Sequence, residues 1–223
     1  MDKIYILKFI ALTYILFSLT EWFLHSKVMH GDPQRLRKVP IIGNLLAETA
    51  EGHLGHHKQV QMDMKLESNK LEKSLFFGYD TLLEIFFILL VVGMVNKHVL
   101  KMGNKSYICY IFAMTCMYSV LWNNMHVDMH GVKGTIDYKS GIPNSSGLLS
   151  RGPVYRYLWK YHAIHHLQKG DTKGNYNIIL PGADFLFGTY TGFCYDNIEY
   201  CKTNDDKRCY NTRKKCVTDK DLI

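Results

Sequence analysis

The chain has 223 residues, 47% of them apolar and 21% charged, with a formal net charge of +7. This is the composition of one folded domain or a small pair, and it excludes a disordered chain, a collagen-like repeat and a coiled coil. The Lys and Arg residues do not gather in one stripe with interleaved stacking aromatics, so the positive charge does not point to nucleic acid.

The mean hydropathy of −0.12 hides a segregation into apolar and charged blocks. The first apolar run, Ile4 to Leu24, carries only Lys8 and Glu21 as charges and has the length of about 20 residues that a helix needs to cross a bilayer. A signal peptide would end on small residues. Here the run ends on Glu21, Trp22, Phe23 and Leu24, so it is expected to stay as a membrane helix. His25 and His30 (HSKVMH) follow directly, and His53, His56 and His57 (HLGHH) lie in the polar region beyond.

The second run, Leu75 to Val95, contains Asp80 and Glu84. Both would be costly at mid-bilayer, so they are expected near the membrane surface with Ile85 to Val95 passing deeper. His98, beside Lys97, is expected to be an ordinary surface residue. The third run, Tyr107 to Met125, has no charge and leads into His126 and His130 (HVDMH).

Gly131 to Gly152 is rich in Gly and Ser and reads either as a connecting loop or as a lid over a site. Tyr155, Tyr157, Trp159 and Tyr161 then alternate with Arg156 and Lys160, which suits a headgroup-level belt or the packing of a helix against its neighbours. His162, His165 and His166 (HAIHH) close the series. Residues 1–200 read as one membrane-bound domain and residues 201–223 as a polar, basic tail.

Charge distribution sets the expected orientation. Eight Lys or Arg lie between residues 25 and 74 and fourteen after residue 125, against Lys97, Lys101 and Lys105 in the short connection between the second and third runs. The positive-inside rule places both large polar regions in the cytosol, where an even number of crossings lets them meet. The cysteines agree with a reducing compartment. Cys194, Cys201, Cys209 and Cys216 stand seven or eight apart with no CxxC pair, the wrong spacing for a compact zinc site.

Ten of the eleven histidines thus fall in four tight groups. Spacings of three and four put side chains on one face of a helix. Converging neutral imidazoles each need a partner and would repel if protonated, and a metal removes both problems. One ion takes about four to six ligands, so ten histidines suit two ions. All ten can converge at the cytosolic face of the membrane.

The order HxxxxH, HxxHH, HxxxH, HxxHH, with apolar runs between the second and third boxes, resembles the fatty acid hydroxylase and sterol desaturase superfamily of membrane-bound dimetal oxygenases. The closing stretch Asn175 to Thr189 (NYNIILPGADFLFGT) is similar to the family's Asn, Pro, Asp and LFGT segment. The resemblance covers roughly Phe17 to Thr191, and the box spacings are nearest to the branch that hydroxylates fatty acyl chains at carbon 2. It implies an all-α fold, with about three integral membrane helices and a cytosolic helical cap holding a histidine-rich dimetal site.

The implied reaction is oxygen-dependent hydroxylation of a lipid C–H bond, on a fatty acyl chain such as that of a sphingolipid. Dioxygen would be activated at two ferrous ions in the endoplasmic reticulum membrane or its equivalent. Zinc also suits imidazole and could occupy such a site in purified protein without supporting this chemistry. No cytochrome b5 domain is fused to the boxes, so electrons are expected from a separate donor such as cytochrome b5 and its reductase. One helix precedes the first box where the family often has a hairpin. Asp128 and Asp184 are candidates to orient ligand histidines or to cap helices. Two other readings stay open: a sterol or other lipid desaturase or oxidase of the same superfamily, and a membrane protein that binds zinc without turnover.

Overall fold

The computed structural model describes residues 3–60, 64, 66, 75–130, 152–167 and 174–191. Among these residues the structure is helical and holds no strand, only an isolated bridge between Val60 and Leu66. The Gly/Ser-rich stretch read as loop or lid and the basic tail lie outside the described residues.

Helix α1 (Lys3–Phe23) runs straight into a π-helical turn, Leu24–Met29. Together they form, among the described residues, the one helix long and apolar enough to cross a membrane, Lys3–Met29. The short α2 (Pro33–Leu36) is started by Asp32, whose side chain accepts from the Gln34 N–H, and by Pro33 in the first turn, where its missing N–H costs nothing. Helix α3 (Gly43–Gln59) doubles back from α2. The turn is tight enough that a Cβ on Gly43 would sit 2.5 Å from the Arg37 carbonyl oxygen.

The second apolar run yields α4 (Tyr79–Val92), which stops at Gly93, followed by a short α5 (Met94–Val99). The helix begins later than the apolar run because residues 75–78 are used otherwise. Leu75 is fully buried, and Phe77 is pinned through its backbone to the amide of Asn123, which accepts at 2.7 Å and donates at 3.2 Å.

Helix α6 (Asn104–Met129) outruns the third apolar run, so that His126 lies within the helix and His130 caps it. Helix α7 (Gly152–Leu167) carries the last box, and an irregular closing segment, residues 174–191, contains the short α8 (Ala183–Leu186). The core is aromatic. Phe77 stacks on Trp122 at 4.6 Å between centroids, Phe17 lies 5.7 Å from Tyr118, and Trp122 stacks at 4.4 Å on His126, joining the apolar core to the histidines. Away from the core, α1, α4 and α6 turn apolar side chains outward, among them Leu7, Phe87, Val91 and Phe112.

Along α7 the alternating aromatics do not share one face, because residues two apart on a helix diverge by about 160°. Tyr161 is buried, Trp159 donates to the Met129 carbonyl at 3.0 Å, and Tyr157 is exposed. Of the two sequence readings, packing fits Trp159 and Tyr161.

Candidate metal centre

Ten histidines meet in two groups of five. His25, His30, His53, His57 and His165 form the first and His56, His126, His130, His162 and His166 the second; within each, the candidate ligand nitrogens all lie within 4.8 Å of one another. The groups adjoin, with the His57 and His166 rings 4.2 Å apart. His98 is exposed on α5 and belongs to neither.

Each pair reaches its group by local geometry. On an α-helix, residues five apart point about 140° away from each other. His25 and His30 nevertheless face the same centre because the chain between them is π-helical, with the His30 N–H donating to the His25 carbonyl at 3.0 Å. His126 and His130 are four apart at the end of α6 and need no such device. Each HxxHH box is divided: α3 gives His53 and His57 to the first group and His56 to the second, while α7 gives His162 and His166 to the second and His165 to the first. Each HxxHH box therefore serves both groups, since only residues a full turn apart stay together.

The ring orientations fit a cation. A carbonyl oxygen can only accept, so a ring nitrogen against it carries the proton and leaves a lone pair on the other nitrogen. In this way His25 Nδ1 donates to the Tyr176 carbonyl at 2.7 Å and His165 Nδ1 to the Gly174 carbonyl at 2.8 Å in the first group. In the second, His126 Nδ1 donates to the Leu75 carbonyl at 2.9 Å and His130 Nδ1 to the Met64 carbonyl at 2.7 Å, and His162 Nδ1 lies 3.3 Å from the Met129 sulfur.

The inward nitrogens are then crowded. His25 and His53 stand 3.0 Å apart at Nε2, His30 and His165 3.0 Å, and His53 and His57 3.1 Å. Nitrogens about 2.1 Å from one ion and at right angles to each other lie about 3.0 Å apart. In the second group Nε2 of His56, His126 and His130 is buried with no hydrogen-bond partner, a costly condition that a bound cation relieves. The residues present therefore fit a metal in each group.

Electrostatics point the same way. His53, His56, His130, His162 and His166 are all held well below the ordinary imidazole value, first by burial and then by neighbouring imidazoles that would repel a second positive charge. They are neutral and so available as ligands. The Tyr176 phenol, its ring 5.6 Å from those of His25, His30 and His165, is pushed up to about 12 by burial and by Asp184, and stays protonated.

The carbonyls that orient the first group come from the closing segment. Asn175 adopts φ 55°, a left-handed turn that Asn tolerates, and it separates the two carbonyls that receive His165 and His25. Its side chain is tied to Thr191 by bonds of 2.8 and 2.9 Å. Asp184 accepts from the N–H groups of Tyr176 and Asn177 at 3.0 and 2.8 Å and from the Tyr161 hydroxyl at 2.7 Å. Its carboxylate bonds to the loop that supplies the carbonyls and to α7.

Glu21, buried on α1, accepts from the N–H groups of Ile179 and Leu180 at 2.9 Å each, and Ser18 accepts from that of Ala183 at 2.9 Å. Glu21, Ser18 and the carbonyls of Leu75, Met64, Gly174 and Tyr176 were not anticipated from sequence. The one signal for them was a carboxylate inside an apolar run, which demands buried donors. Asp128 sits half-buried in the last turn of α6.

A cavity of about 150 Å³ between α3, α4 and α6 is lined by Leu45, Thr49, Phe76 and Glu84 and reaches His53. A narrower one, sharing Met29, Phe77 and Trp122 with it, reaches His25. The histidine lining each belongs to the first group.

A model of the fatty acid hydroxylase family matches residues 10–189. No curated protein and no solved structure matches the chain.

Proposed function

The chain belongs to the fatty acid hydroxylase family, and from that premise we propose that it is a di-iron lipid hydroxylase that inserts one atom of dioxygen into a C–H bond of a fatty acyl chain. Family membership and the two histidine clusters make a metal-dependent oxidoreductase of lipids; the iron, the acyl substrate and attack at carbon 2, as on a sphingolipid, are the finer part of the proposal. The observation that carries it is the pairing of two five-imidazole groups with a cavity that reaches one of them and whose lining mixes apolar Leu45, Phe76, Phe77 and Trp122 with Glu48, Thr49 and Glu84. A structural zinc site is closed by four ligands. Five imidazoles with right-angle spacings suit a six-coordinate ion with one position left over, and this favours an oxygen-activating centre over zinc storage.

His25, His30, His53, His57 and His165 would hold one ion and His56, His126, His130, His162 and His166 the other. When bound there, two ferrous ions supply the redox chemistry with dioxygen that an unactivated C–H bond requires. The protein's own part is positioning. The carbonyls of Tyr176, Gly174, Leu75 and Met64 fix the rings, the aromatic floor of Phe77 and Trp122 excludes water, and the cavity walls lay an acyl chain beside His25 and His53.

The overall balance consumes dioxygen, two electrons and two protons for each hydroxyl and water formed. The electrons would come from an external donor such as cytochrome b5 with its reductase. The outward apolar faces of α1, α4 and α6 support three membrane helices, and the Lys and Arg distribution supports histidines facing the cytosol, in the endoplasmic reticulum or its equivalent.

The test is turnover by the full chain in lipid nanodiscs, loaded with ferrous iron and given a reductant, cytochrome b5 and isotopically labelled dioxygen. Two irons per chain and one labelled oxygen atom in the lipid product are expected. Unlabelled product with a new double bond would replace hydroxylation by desaturation, and tightly held zinc without oxygen uptake would replace both by a binding protein.

A further inference from the structure

The connection between α2 and α3, with the first turn of α3, carries an apolar patch apart from the outward faces of α1, α4 and α6. Val39, Ile41, Ile42 and Leu45 are all exposed there within seven residues, and Ile41 is entirely so, at 103%. Ile41 also has φ 70°, a left-handed conformation that is strained for a β-branched residue. Backbone strain and a bare isoleucine at the same position make sense if the side chain is received by something outside the chain.

Three observations identify the receiver as a lipid surface. The tip follows the candidate membrane span, which ends at Met29, by only about a dozen residues, and α3 folds back against the π-turn that ends that span. Arg35, Arg37 and Lys38 immediately precede the tip. Arg35 is paired with Asp32 at 3.4 Å and Arg37 with Glu51 at 2.8 Å, so the cation offered beside the apolar tip is exposed Lys38, next to Val39; an apolar tip flanked by a lysine complements acyl chains under anionic headgroups. Finally, the tip is continuous with the path to the metal centre. Leu45, Thr49 and His53 lie one turn apart on a single face of α3, and all three line the cavity. From Leu45 to His53 that face spans about 12 Å.

We infer that the Val39 to Leu45 segment is a lip inserted into the cytosolic leaflet, at which a lipid leaves the bilayer and enters the cavity toward His53. Its use as an entry rests on the lipid-oxidising reading above; its position in the bilayer does not.

The experiment places Ile41→Trp in the full chain, in nanodiscs of phosphatidylcholine and phosphatidylserine brominated either near the headgroup or near the methyl end of the acyl chains. The parent, with Trp22, Trp122 and Trp159, gives the background. The added emission should be blue-shifted and quenched by about half or more by the shallow bromines, and less by the deep ones. Water-like, unquenched emission overturns the inference. So does blue-shifted emission that no bromine reaches, which would mean a second copy of the chain covers the tip.

Ile41→Gly supplies an independent arm, because it removes the apolar tip while relieving the strained φ. Its thermal midpoint should match or exceed that of the parent, while KM for lipid in the nanodisc rises about threefold or more at unchanged kcat. Unchanged KM overturns the entry role. A quenched tip on a protein that never turns over lipid would sink the proposed function and leave the inserted lip standing.

Discussion

The two histidine groups draw on the same two helices in mirrored fashion, and they differ in what completes them. The i and i+4 histidines of α3 go to the first group and those of α7 to the second, each helix lending its remaining histidine to the other side. The first group is completed by a π-helical turn at the end of the candidate membrane span, and the closing segment orients two of its rings. The second is completed by regular α6 and oriented by carbonyls of Met64 and Leu75, with four of its five rings buried against three in the first. The comparison teaches that one ligand chemistry has been given two settings. One group meets the cavity, and the other is, among the described residues, the more deeply buried of the two.

The largest expected effect separates the groups directly. His57→Ala should remove the ion of the first group and His56→Ala that of the second, so each variant retains about one metal of two, and turnover falls by about a hundredfold or more in both. Metal analysis with the spectroscopic signature of the remaining ion checks this. If either substitution emptied both groups equally, or neither changed the metal content, the division into two fives would be wrong.

A smaller and one-sided effect is expected at Asp184. Asp184→Asn keeps the size but gives two backbone N–H groups and the hydroxyls of Tyr161 and Thr189 a weaker acceptor, which loosens the segment behind His25 and His165. Metal affinity should fall about tenfold in the first group and hold in the second, as read by titration with a chelator. Equal weakening in both groups would mean that Asp184 serves general stability rather than the first group.

The smallest effect is the control. His98→Ala changes an exposed side chain on α5, outside both groups, and should leave metal content and turnover within about twofold. A large loss would move the chemistry away from the clusters altogether.

Much of this site was legible in the sequence because a helix turns histidines three and four residues apart into spatial neighbours by local geometry alone. The four boxes, the isolation of His98 and the helical character of the three apolar runs could all be read that way, and a family match over residues 10–189 agrees with the box pattern. The five-residue spacing of His25 and His30 was visible too, but nothing in it announced that the helix would widen to accommodate it.

The assignment of each histidine to one group or the other belonged to the tertiary structure. His53 and His56 are three residues apart, yet they part company because α1 with its π-turn approaches one flank of α3, and α6 brings its histidines to the other. The carbonyls that set the tautomers come from residues 64, 75, 174 and 176, of which only Gly174 lies near its ring in sequence, nine residues from His165, and no local pattern encodes a backbone oxygen. Glu21 shows the boundary most clearly. Its charge in an apolar run was plain from the sequence, but its partners, the N–H groups of Ile179 and Leu180, lie 158 and 159 residues away and were decided only when the closing segment folded onto α1. Local spacing fixes which residues can act together on one helix, whereas the pairing of buried donors with acceptors depends on which helices pack and is a property of the whole fold.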